Sequence, residues 1–184
     1  MIARNLRRLI LGLALITPVS SNAEDAMVQL SLSDKTGWSY FSDQVMGGVS
    51  EERSSFEEEG GLPILHLTGK VSTANRGGFI QARRKLDAPL PATTRGVVLN
   101  VRGNNQTYFI HLRTSGTVLP WQYYQASFEV SDTWREVRIP FDAFTASGRL
   151  LRKTPDVGAL RSLAVVAFGR DHSADLSVRA VGFY

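Results

Sequence analysis

Short segments in which apolar and polar residues alternate constrain the fold of this chain more than any other feature of its sequence. Apolar residues occupy every second position of 97–101, 108–112 and 124–130. Because successive side chains of a β-strand point to opposite faces, each of these segments would have one apolar and one polar face. A period of two favours strands over helices and predicts a core on one side of each strand.

Eight segments have the composition of strands, and turn-forming residues separate them. The predicted strands are 64–71, 78–86, 97–102, 108–114, 123–130, 134–141, 163–168 and 176–184. Glycine and asparagine between them, as at 60–61, 75–77 and 103–105, favour tight turns. This order of short strands and turns predicts an all-β fold, an antiparallel β-sandwich or jelly roll. A helical turn or two is expected around 157–161.

The polar sides of the predicted strands supply a candidate binding surface. If the strands are neighbours in one sheet, that surface contains Gln81, Arg83, Asn100, Arg102, His111, Arg113, Tyr123 and Gln125. Guanidinium and amide groups suit sugar hydroxyls, carboxylates or backbone carbonyls, and tyrosine rings suit stacking. The alternative is a solvated sheet face, which antiparallel sheets commonly have. Trp121, beside Pro120 in a predicted loop, is a further candidate for an exposed stacking residue.

The segment "DQVMGGVS", residues 43–50, contains two adjacent glycines and allows two interpretations, a ligand-binding loop or a structural turn. A phosphate-binding loop leads into a helix N-terminus and usually contains a lysine, whereas this segment leads into another extended, polar stretch without a lysine. We therefore predict a structural turn. In it, Gly47 and Gly48 would adopt backbone angles closed to other residues or permit close approach of the chain.

The other residues of this turn have predicted roles as well. Val45, Met46 and Val49 are expected to anchor the segment on the core. Asp43 is expected either to accept hydrogen bonds from backbone amides or to meet an arginine such as Arg83.

A second glycine pair, Gly77 and Gly78, lies in "NRGGF", residues 75–79. Its composition predicts a turn that leads into a strand, with Phe79 packing against neighbouring side chains. Further along the chain, Trp134 is expected in the core, and Pro140 is expected to end its strand.

The N-terminus has the pattern of a cleaved export signal. Three arginines precede an apolar run at 9–16, and small residues at 21–23 suit a signal peptidase. We expect residues 1–23 to be removed and residues 24–184 to form a single domain that is periplasmic or secreted. A mitochondrial transit peptide is the alternative for such an arginine-rich, acid-free segment. The apolar run is shorter than the roughly 20 residues that span a bilayer, so no transmembrane segment is expected after cleavage.

Charge and cysteine content exclude several classes of function. The chain has 21 Lys and Arg against 17 Asp and Glu, a formal net charge of +4. Three of the arginines and none of the acids precede residue 24, which leaves a nearly neutral mature chain at +1. Because no basic run with interleaved aromatic residues is present beyond Arg83, Arg84 and Lys85, no nucleic-acid partner is expected. The absence of cysteine excludes disulfides and a thiol nucleophile.

Residues that could catalyse a reaction or bind a metal ion are scattered along the chain. His66, His111 and His172 do not have the spacing of metal ligands. The run 171–173, Asp-His-Ser, contains the residue types of a catalytic triad, but adjacent residues cannot converge as a triad requires. His66 alternates with core leucines and is expected to be a satisfied strand histidine. We therefore predict a non-enzyme with no cofactor and no metal ion.

Several motifs together resemble the complex I intermediate-associated protein 30 family. They are Trp38 followed by "SDQVMGGVS" through Ser50, then "LTGKVSTANRGGFIQARR", "GVVLNVRGNNQTYFIHLRT", "YYQASFE", "TWREVRIPFDAF" and the closing "VRAVGFY". The resemblance implies a galactose-binding-domain-like jelly roll and, in mitochondria, a non-enzymatic role in assembling NADH:ubiquinone oxidoreductase. The sequence departs from the family at Asn104, where an aspartate is usual, and in its export signal.

Two functional hypotheses follow. The first is an exported protein-binding or assembly module whose polar face docks a protein client, as the family resemblance implies. The second is a carbohydrate-binding module, because a jelly roll with an aromatic and amide-rich face suits sugar rings. Both hypotheses place binding on the polar face of a sheet.

Overall fold

The computed structural model describes residues 27–184, which form thirteen strands and five short 3-10 turns. The strands are β1 (Val28–Gln29), β2 (Trp38–Ser42), β3 (Glu51–Glu52), β4 (Ser55–Glu59), β5 (Leu62–Val71), β6 (Phe79–Lys85), β7 (Gly96–Gly103), β8 (Thr107–Thr114), β9 (Tyr124–Glu129), β10 (Arg135–Pro140), β11 (Thr145–Ala146), β12 (Leu160–Phe168) and β13 (His172–Phe183). The 3-10 turns are Lys35–Gly37, Asp43–Met46, Ala74–Arg76, Phe141–Ala143 and Val157–Ala159. The predicted signal peptide, residues 1–23, lies outside the described residues.

The strands form two antiparallel sheets that pack face to face. The six-stranded sheet has the order β11–β9–β8–β12–β6–β2. The seven-stranded sheet follows the path β10–β7–β13–β5–β3, with β1 paired to β13 and β4 paired to β5. This architecture confirms the predicted all-β jelly roll. No helix among residues 27–184 is long and apolar enough to cross a membrane.

The core lies between the sheets and contains the apolar sides of the alternating strands. On β8, Tyr108, Ile110 and Leu112 are fully buried in this core, and the residues between them point to the outer face of the six-stranded sheet. Strands β7 and β9 follow the same rule. The alternation in the sequence therefore predicted the inward side of these three strands correctly.

Asn104 has a structural role next to the buried Tyr108. The hydroxyl of Tyr108 donates to Asn104 Oδ1 (2.8 Å) and accepts from the backbone N–H of Asp175 (2.7 Å). Asn104 Nδ2 donates to the carbonyl oxygen of Ser173 (2.9 Å). An aspartate lacks the N–H for this last bond, so the amide at this position ties the loop after β7 to β13.

All eight predicted strands are present, as β5–β10, β12 and β13, with ends that differ from the prediction by up to four residues. Strands β1–β4 and β11 were not predicted, because they are only two to five residues long and several are mostly polar. The expected helical turn is the 3-10 turn Val157–Ala159, and Pro140 ends β10 as predicted.

Candidate functional site

A cleft of about 700 Å³ lies on the outer face of the six-stranded sheet, and we call it the sheet cleft. Its floor is the outer side of β6, β12 and β8. One wall is the 43–48 turn with the neighbouring 75–78 turn, and the other is the loop between β8 and β9. The residues that line it are Phe41, Val45, Met46, Arg76, Gly77, Phe79, Gln81, Arg83, His111, Arg113, Val118, Pro120, Trp121, Tyr123, Ser162, Ala164 and Phe168.

Small residues on the central strand β12 form the bottom of the cleft. Ala164 lies opposite Arg83 of β6 on one side and opposite His111 of β8 on the other, and Ser162 also lines the cleft. Gln125 of β9 continues the same row beyond His111. Because neighbouring strands are about 4.8 Å apart, Arg83 and His111 stand on two sides of a trough whose backbone width is roughly 10 Å.

Aromatic rings surround His111 on the cleft floor. The ring of Tyr123 stacks on His111 with centroids 4.0 Å apart and an interplanar angle of 9°, and Phe168 meets both rings edge-on. His111 Nε2 is hydrogen-bonded to Gln125 Oε1 (2.9 Å). Burial lowers the pKa of His111 to about 4, so the imidazole is neutral at pH 7. This part of the floor is planar and polar but carries no charge.

Arg83 supplies a positive charge to the floor. Its guanidinium group is half-buried and lies over the ring of Phe41, 4.5 Å from the centroid. Within residues 27–184, no side chain or backbone group forms a hydrogen bond or ion pair with it. Burial lowers the pKa of Arg83, and the nearby charge of Arg113 lowers it further. The sheet cleft therefore holds a partly desolvated cation without an acidic partner.

Arg113 holds the loop that follows β8. Its guanidinium group donates to the carbonyl oxygens of Thr117 (2.8 Å), Leu119 (2.9 Å) and Pro120 (3.1 Å). These bonds fix the loop at the edge of the cleft, where Trp121 is 66% exposed. The prediction of an exposed tryptophan in this loop is confirmed.

Asp43, which is fully buried, holds the opposite wall. Its carboxylate accepts hydrogen bonds from the N–H and hydroxyl of Ser50 and from the N–H groups of Gly78 and Phe79. Burial acts to raise the pKa of Asp43, but these hydrogen bonds together lower it below its ordinary value. A Cβ at Gly48 would lie 2.3 Å from the carboxylate. The segment is thus the predicted structural turn, and Asp43 accepts backbone amides instead of pairing with an arginine.

The apolar residues of this turn are not in the core, so that part of the prediction is wrong. Val45, Met46 and Val49 are 72%, 65% and 46% exposed. The buried carboxylate of Asp43 anchors the turn in their place, which leaves the apolar side chains outside, and Val45 and Met46 line the cleft. Gly47, at a φ of 87°, ends the turn in a conformation that favours glycine.

Two predicted members of the binding surface, Asn100 and Arg102, lie on the other side of the molecule, so the prediction of one shared face is wrong for them. Their strand, β7, belongs to the seven-stranded sheet, and both side chains are on its outer face. Arg102 pairs with Glu59 (2.6 Å), and Asn100 Oδ1 accepts from Arg179 (2.8 Å). Alternation identifies the polar side of a strand but not the sheet that contains the strand.

Trp134 is half-buried on this second face, and the prediction that it belongs to the core is wrong. Its ring contacts the guanidinium groups of Arg102 and Arg179, each 4.7 Å from the ring centroid. Val137 and Ile139 are the inward residues of the following strand, so Trp134 has the register of an outward residue. Cation–π contacts with these two arginines cover the ring in place of the core.

His66 lies on the same outer face and is a satisfied strand histidine, as predicted. Its Nδ1 is 2.7 Å from Glu57 Oε1, and its Nε2 is 2.8 Å from Asp175 Oδ1. Burial acts to lower the pKa of His66, but hydrogen bonds to Asp175 and Glu57 outweigh burial and raise it. Across residues 27–184, no group of three or more His, Asp or Glu side chains is placed to hold a metal ion.

The structure brings together the remaining predicted surface residues, which are Gln81, Arg83, His111, Arg113, Trp121, Tyr123 and, at the margin, Gln125. The sequence analysis missed Phe41, Val118 and Phe168. Strand β2 was not predicted, although the alternation in "WSYFS" could have placed Phe41 outward. Strand β12 is apolar on both sides, so its sequence contains no period of two that could separate Phe168 from the core.

Known structures share this fold. A family 11 carbohydrate-binding module from Clostridium thermocellum, in complex with a β-1,3-1,4-mixed-linked tetrasaccharide, matches with a TM-score of 0.69 at 12% identity, over 85% of this chain and 94% of that chain. A family 30 carbohydrate-binding module matches with a TM-score of 0.52 at 13% identity, over 74% of this chain and 92% of that chain. An exo-β-agarase matches with a TM-score of 0.54 at 7% identity, over 86% of this chain and 25% of its own. At these identities the likeness shows the fold alone.

Sequence comparison identifies the family. No curated protein matches this sequence significantly. The sequence profile named Complex I intermediate-associated protein 30 (CIA30) matches residues 28–173, which extend from β1 to the start of β13 and include both walls of the sheet cleft. The match confirms the resemblance that the motifs indicated. The chain belongs to the Complex I intermediate-associated protein 30 family.

Proposed function

We propose that the protein is a non-enzymatic binding module that docks a protein client in the sheet cleft. The observation that carries this proposal is the apolar rim of the cleft. Val45 and Met46 on one wall and Val118 and Trp121 on the other are each at least 65% exposed. Exposed apolar side chains grouped around one concavity are typical of protein interaction sites. The family to which the chain belongs supports a role in assembly.

The residue types in the cleft support the same proposal. Trp121, Tyr123 and Arg83 are of the residue types that contribute most to binding energy at protein interfaces. Gln81 and His111 add neutral polar groups that can orient a bound segment by hydrogen bonds. The apolar rim would supply affinity for a client segment, and the polar groups would fix the position of that segment in the cleft.

Among the described residues, no pair of carboxylates faces the cleft. Among the described residues that line it, none is Asp or Glu, and its histidine is stacked and hydrogen-bonded on the floor. Paired carboxylates, or a base next to a nucleophile, are the usual requirements for such reactions. This composition supports the non-enzymatic part of the proposal.

The sequence of the first 23 residues supports a client in the periplasm or outside the cell, with a mitochondrial client as the alternative. We expect the mature protein from native cells to begin at Glu24. N-terminal sequencing by mass spectrometry checks this, and a mature protein that retains residues 1–23 would contradict export by a cleaved signal.

A carbohydrate ligand is the second candidate. The stacked rings of Tyr123 and His111, with Gln125 hydrogen-bonded to His111 and Trp121 lining the same cleft, form the kind of planar, polar surface that binds sugar rings. The structural likeness to carbohydrate-binding modules favours the same ligand class.

Crosslinking in native cells separates the two candidates. A variant with Val118→Ser and Trp121→Ala removes the rim of one wall, and Leu62→Ser is the matched control, because Leu62 is 56% exposed on the seven-stranded sheet. We expect the wild type and the control to capture the same defined proteins and the cleft variant to lose them. Equal capture of proteins by the wild type, the control and the cleft variant would contradict a protein client. Glycan-array binding that the wild type and the control show and the cleft variant lacks would also contradict it.

A further inference from the structure

Charge in the sheet cleft has one sign. Arg76, Arg83 and Arg113 line the cleft, and no acidic residue is among the described residues that line it. The buried carboxylate of Asp43 lies behind one wall, where backbone amides and a serine hydroxyl occupy its oxygens. An anionic group that enters the cleft would meet complementary charge and no repulsion from a lining acid.

The three arginines differ in what their donors already bind. Three loop carbonyl oxygens occupy the guanidinium group of Arg113. Arg76 is exposed at the rim, where water solvates its charge. Arg83 is half-buried and has neither a hydrogen bond nor an ion pair within residues 27–184. Arg83 is therefore the arginine with free donors and an incompletely solvated charge.

The geometry around Arg83 favours a carboxylate. The Cζ atom of Arg83 lies over the ring of Phe41, 4.5 Å from its centroid, and the N–H donors of a guanidinium group lie in the plane of that group. A guanidinium fork matches the two oxygens of a carboxylate in the same plane. Burial and the charge of Arg113 both lower the pKa of Arg83, in agreement with a cation that lacks a counter-ion.

We propose that Arg83 binds a carboxylate in an extended acidic segment of the client, and that this segment packs an apolar side chain on Trp121 and Tyr123. This inference rests on the proposed function. Arg83 and the row that contains His111 are two strand spacings apart, roughly 10 Å. An extended chain covers that distance in about three residues. Because successive side chains of an extended chain point to opposite sides, the acidic and the apolar side chain can both face the cleft only at an even separation, so we expect them to be two or four residues apart.

The rim favours a polypeptide over an acidic sugar. Val45, Met46 and Val118 have no hydrogen-bonding group in their side chains, apart from the weakly accepting thioether of Met46. A sugar acid seated between the walls would place several hydroxyl groups against these side chains without partners, which costs free energy. An extended peptide can place apolar side chains there and its carboxylate at Arg83.

Synthetic peptides test this inference. The probes are acetylated, fluorescein-labelled peptides of about eight residues that carry one Glu and one Phe at different separations, each with a twin in which Gln replaces Glu. We expect fluorescence anisotropy to show strongest binding at a separation of two or four residues, with weaker binding at three, and the Gln twin to bind about tenfold to a hundredfold more weakly. Arg83→Gln should weaken binding of the Glu peptide by the same factor and leave the Gln twin unchanged.

Arg102→Gln is the matched control, since Arg102 also lies over an aromatic ring but is paired with Glu59 on the opposite face. This variant should bind the Glu peptide as the wild type does. Thermal unfolding shows that each variant is folded.

Several results would overturn the inference. Equal binding of the Glu and Gln peptides, no binding of either, or full binding by Arg83→Gln would each do so. Oligogalacturonate binding that depends on Arg83, with no peptide binding, would assign the carboxylate to a sugar. The native-cell crosslinking experiment separates this inference from the proposed function. If Arg83→Gln still captures the client and the Val118→Ser, Trp121→Ala variant does not, the proposed function stands and this inference alone is overturned.

Discussion

The two outer faces of this sandwich differ in whether their arginine side chains are paired with acids. On the seven-stranded sheet, Arg102 pairs with Glu59, and the ring of Trp134 contacts two guanidinium groups. On the six-stranded sheet, Arg83 also lies over an aromatic ring, but no acid of the described chain pairs with it. Both faces use the same contact between a guanidinium group and a ring. The proposed site thus lies on the face whose half-buried guanidinium group has no acidic partner among the described residues.

One histidine on each face repeats the contrast. His66 lies between two carboxylates, and their hydrogen bonds raise its pKa above the ordinary value against the effect of burial. His111 is stacked on Tyr123 with an amide as its hydrogen-bond partner, and burial lowers its pKa to about 4. The second face favours a neutral imidazole, which leaves the charge of the sheet cleft to its arginines.

The largest expected effect breaks a wall of the sheet cleft. In Gly48→Ala the added Cβ would lie 2.3 Å from the buried carboxylate of Asp43 and displace it from its hydrogen bonds. We expect the free energy of unfolding to fall by about 4 kcal/mol, the loss typical of a disrupted buried charge. Urea unfolding measures it.

Gly47→Ala is the control for this variant, because nothing lies within 4 Å of the added Cβ. The positive φ of Gly47 should make this substitution cost only about 1 kcal/mol. Equal losses for the two variants would contradict the role assigned to Asp43.

The next effect concerns pH. The pKa of His111 falls from 6.5 in the unfolded chain to about 4 in the folded one, so its neutral form stabilises the fold above pH 6.5 and this contribution is lost as pH falls towards 4. At about 1.4 kcal/mol per pKa unit, the loss approaches about 3 kcal/mol. We expect His111→Asn to be less sensitive to acid than the wild type over this range, as measured by urea unfolding at several pH values.

His66→Asn is the comparison for the pH series and should act in the opposite direction. Because the folded-state pKa of His66 is raised, its contribution is fully present below pH 6.5 and is lost as pH rises through the folded-state pKa. As pH rises above 6.5, the free energy of unfolding should therefore fall less in His66→Asn than in the wild type. If both substitutions changed the pH dependence of stability on the same side of pH 6.5, the assignment of opposite environments to the two histidines would be wrong.

A smaller effect is expected at the loop that carries Trp121. Arg113→Ala removes three hydrogen bonds to loop carbonyl oxygens and should cost about 2 kcal/mol, with faster amide hydrogen exchange in residues 115–121. Arg113→Lys should rescue little, because an ammonium group cannot reproduce the planar fork. Unchanged exchange in Arg113→Ala would show that other contacts hold the loop.

The smallest effect is expected on the face with paired charges. Arg102→Gln removes the ion pair with Glu59 and one of two cation–π contacts of Trp134, all partly exposed. Pairs of this kind contribute about 1 kcal/mol or less. Urea unfolding should show a loss within that limit. A loss as large as that of Gly48→Ala would mean that this face contributes to the fold far more than its exposure indicates.

The inward sides of the strands were predictable from the sequence, because a period of two directly reports which side is buried. Tyr108, Ile110 and Leu112 lie in the core as predicted. The partner of each strand was not predictable, since the alternation of β7 contains no information about its sheet, and Arg102 was therefore placed on the wrong face.

The site itself was predictable only in part. Polar residues such as Arg83 and His111 were identified because they lie on the polar side of their predicted strands. The apolar rim was missed, because an exposed Met46 is indistinguishable in sequence from a buried one until the carboxylate that anchors its turn is located. Exposure of this kind depends on tertiary contacts of Asp43 with residues more than 30 positions away.

Site-specific photo-crosslinking tests most directly the claim that one outer face binds and the other does not. A photoreactive phenylalanine replaces Val118 in the sheet cleft in one variant and Leu62 on the seven-stranded sheet in the other, both exposed apolar positions. Irradiation in native cells should give a defined protein adduct from position 118 and none from position 62. An adduct from position 62 alone would contradict the account.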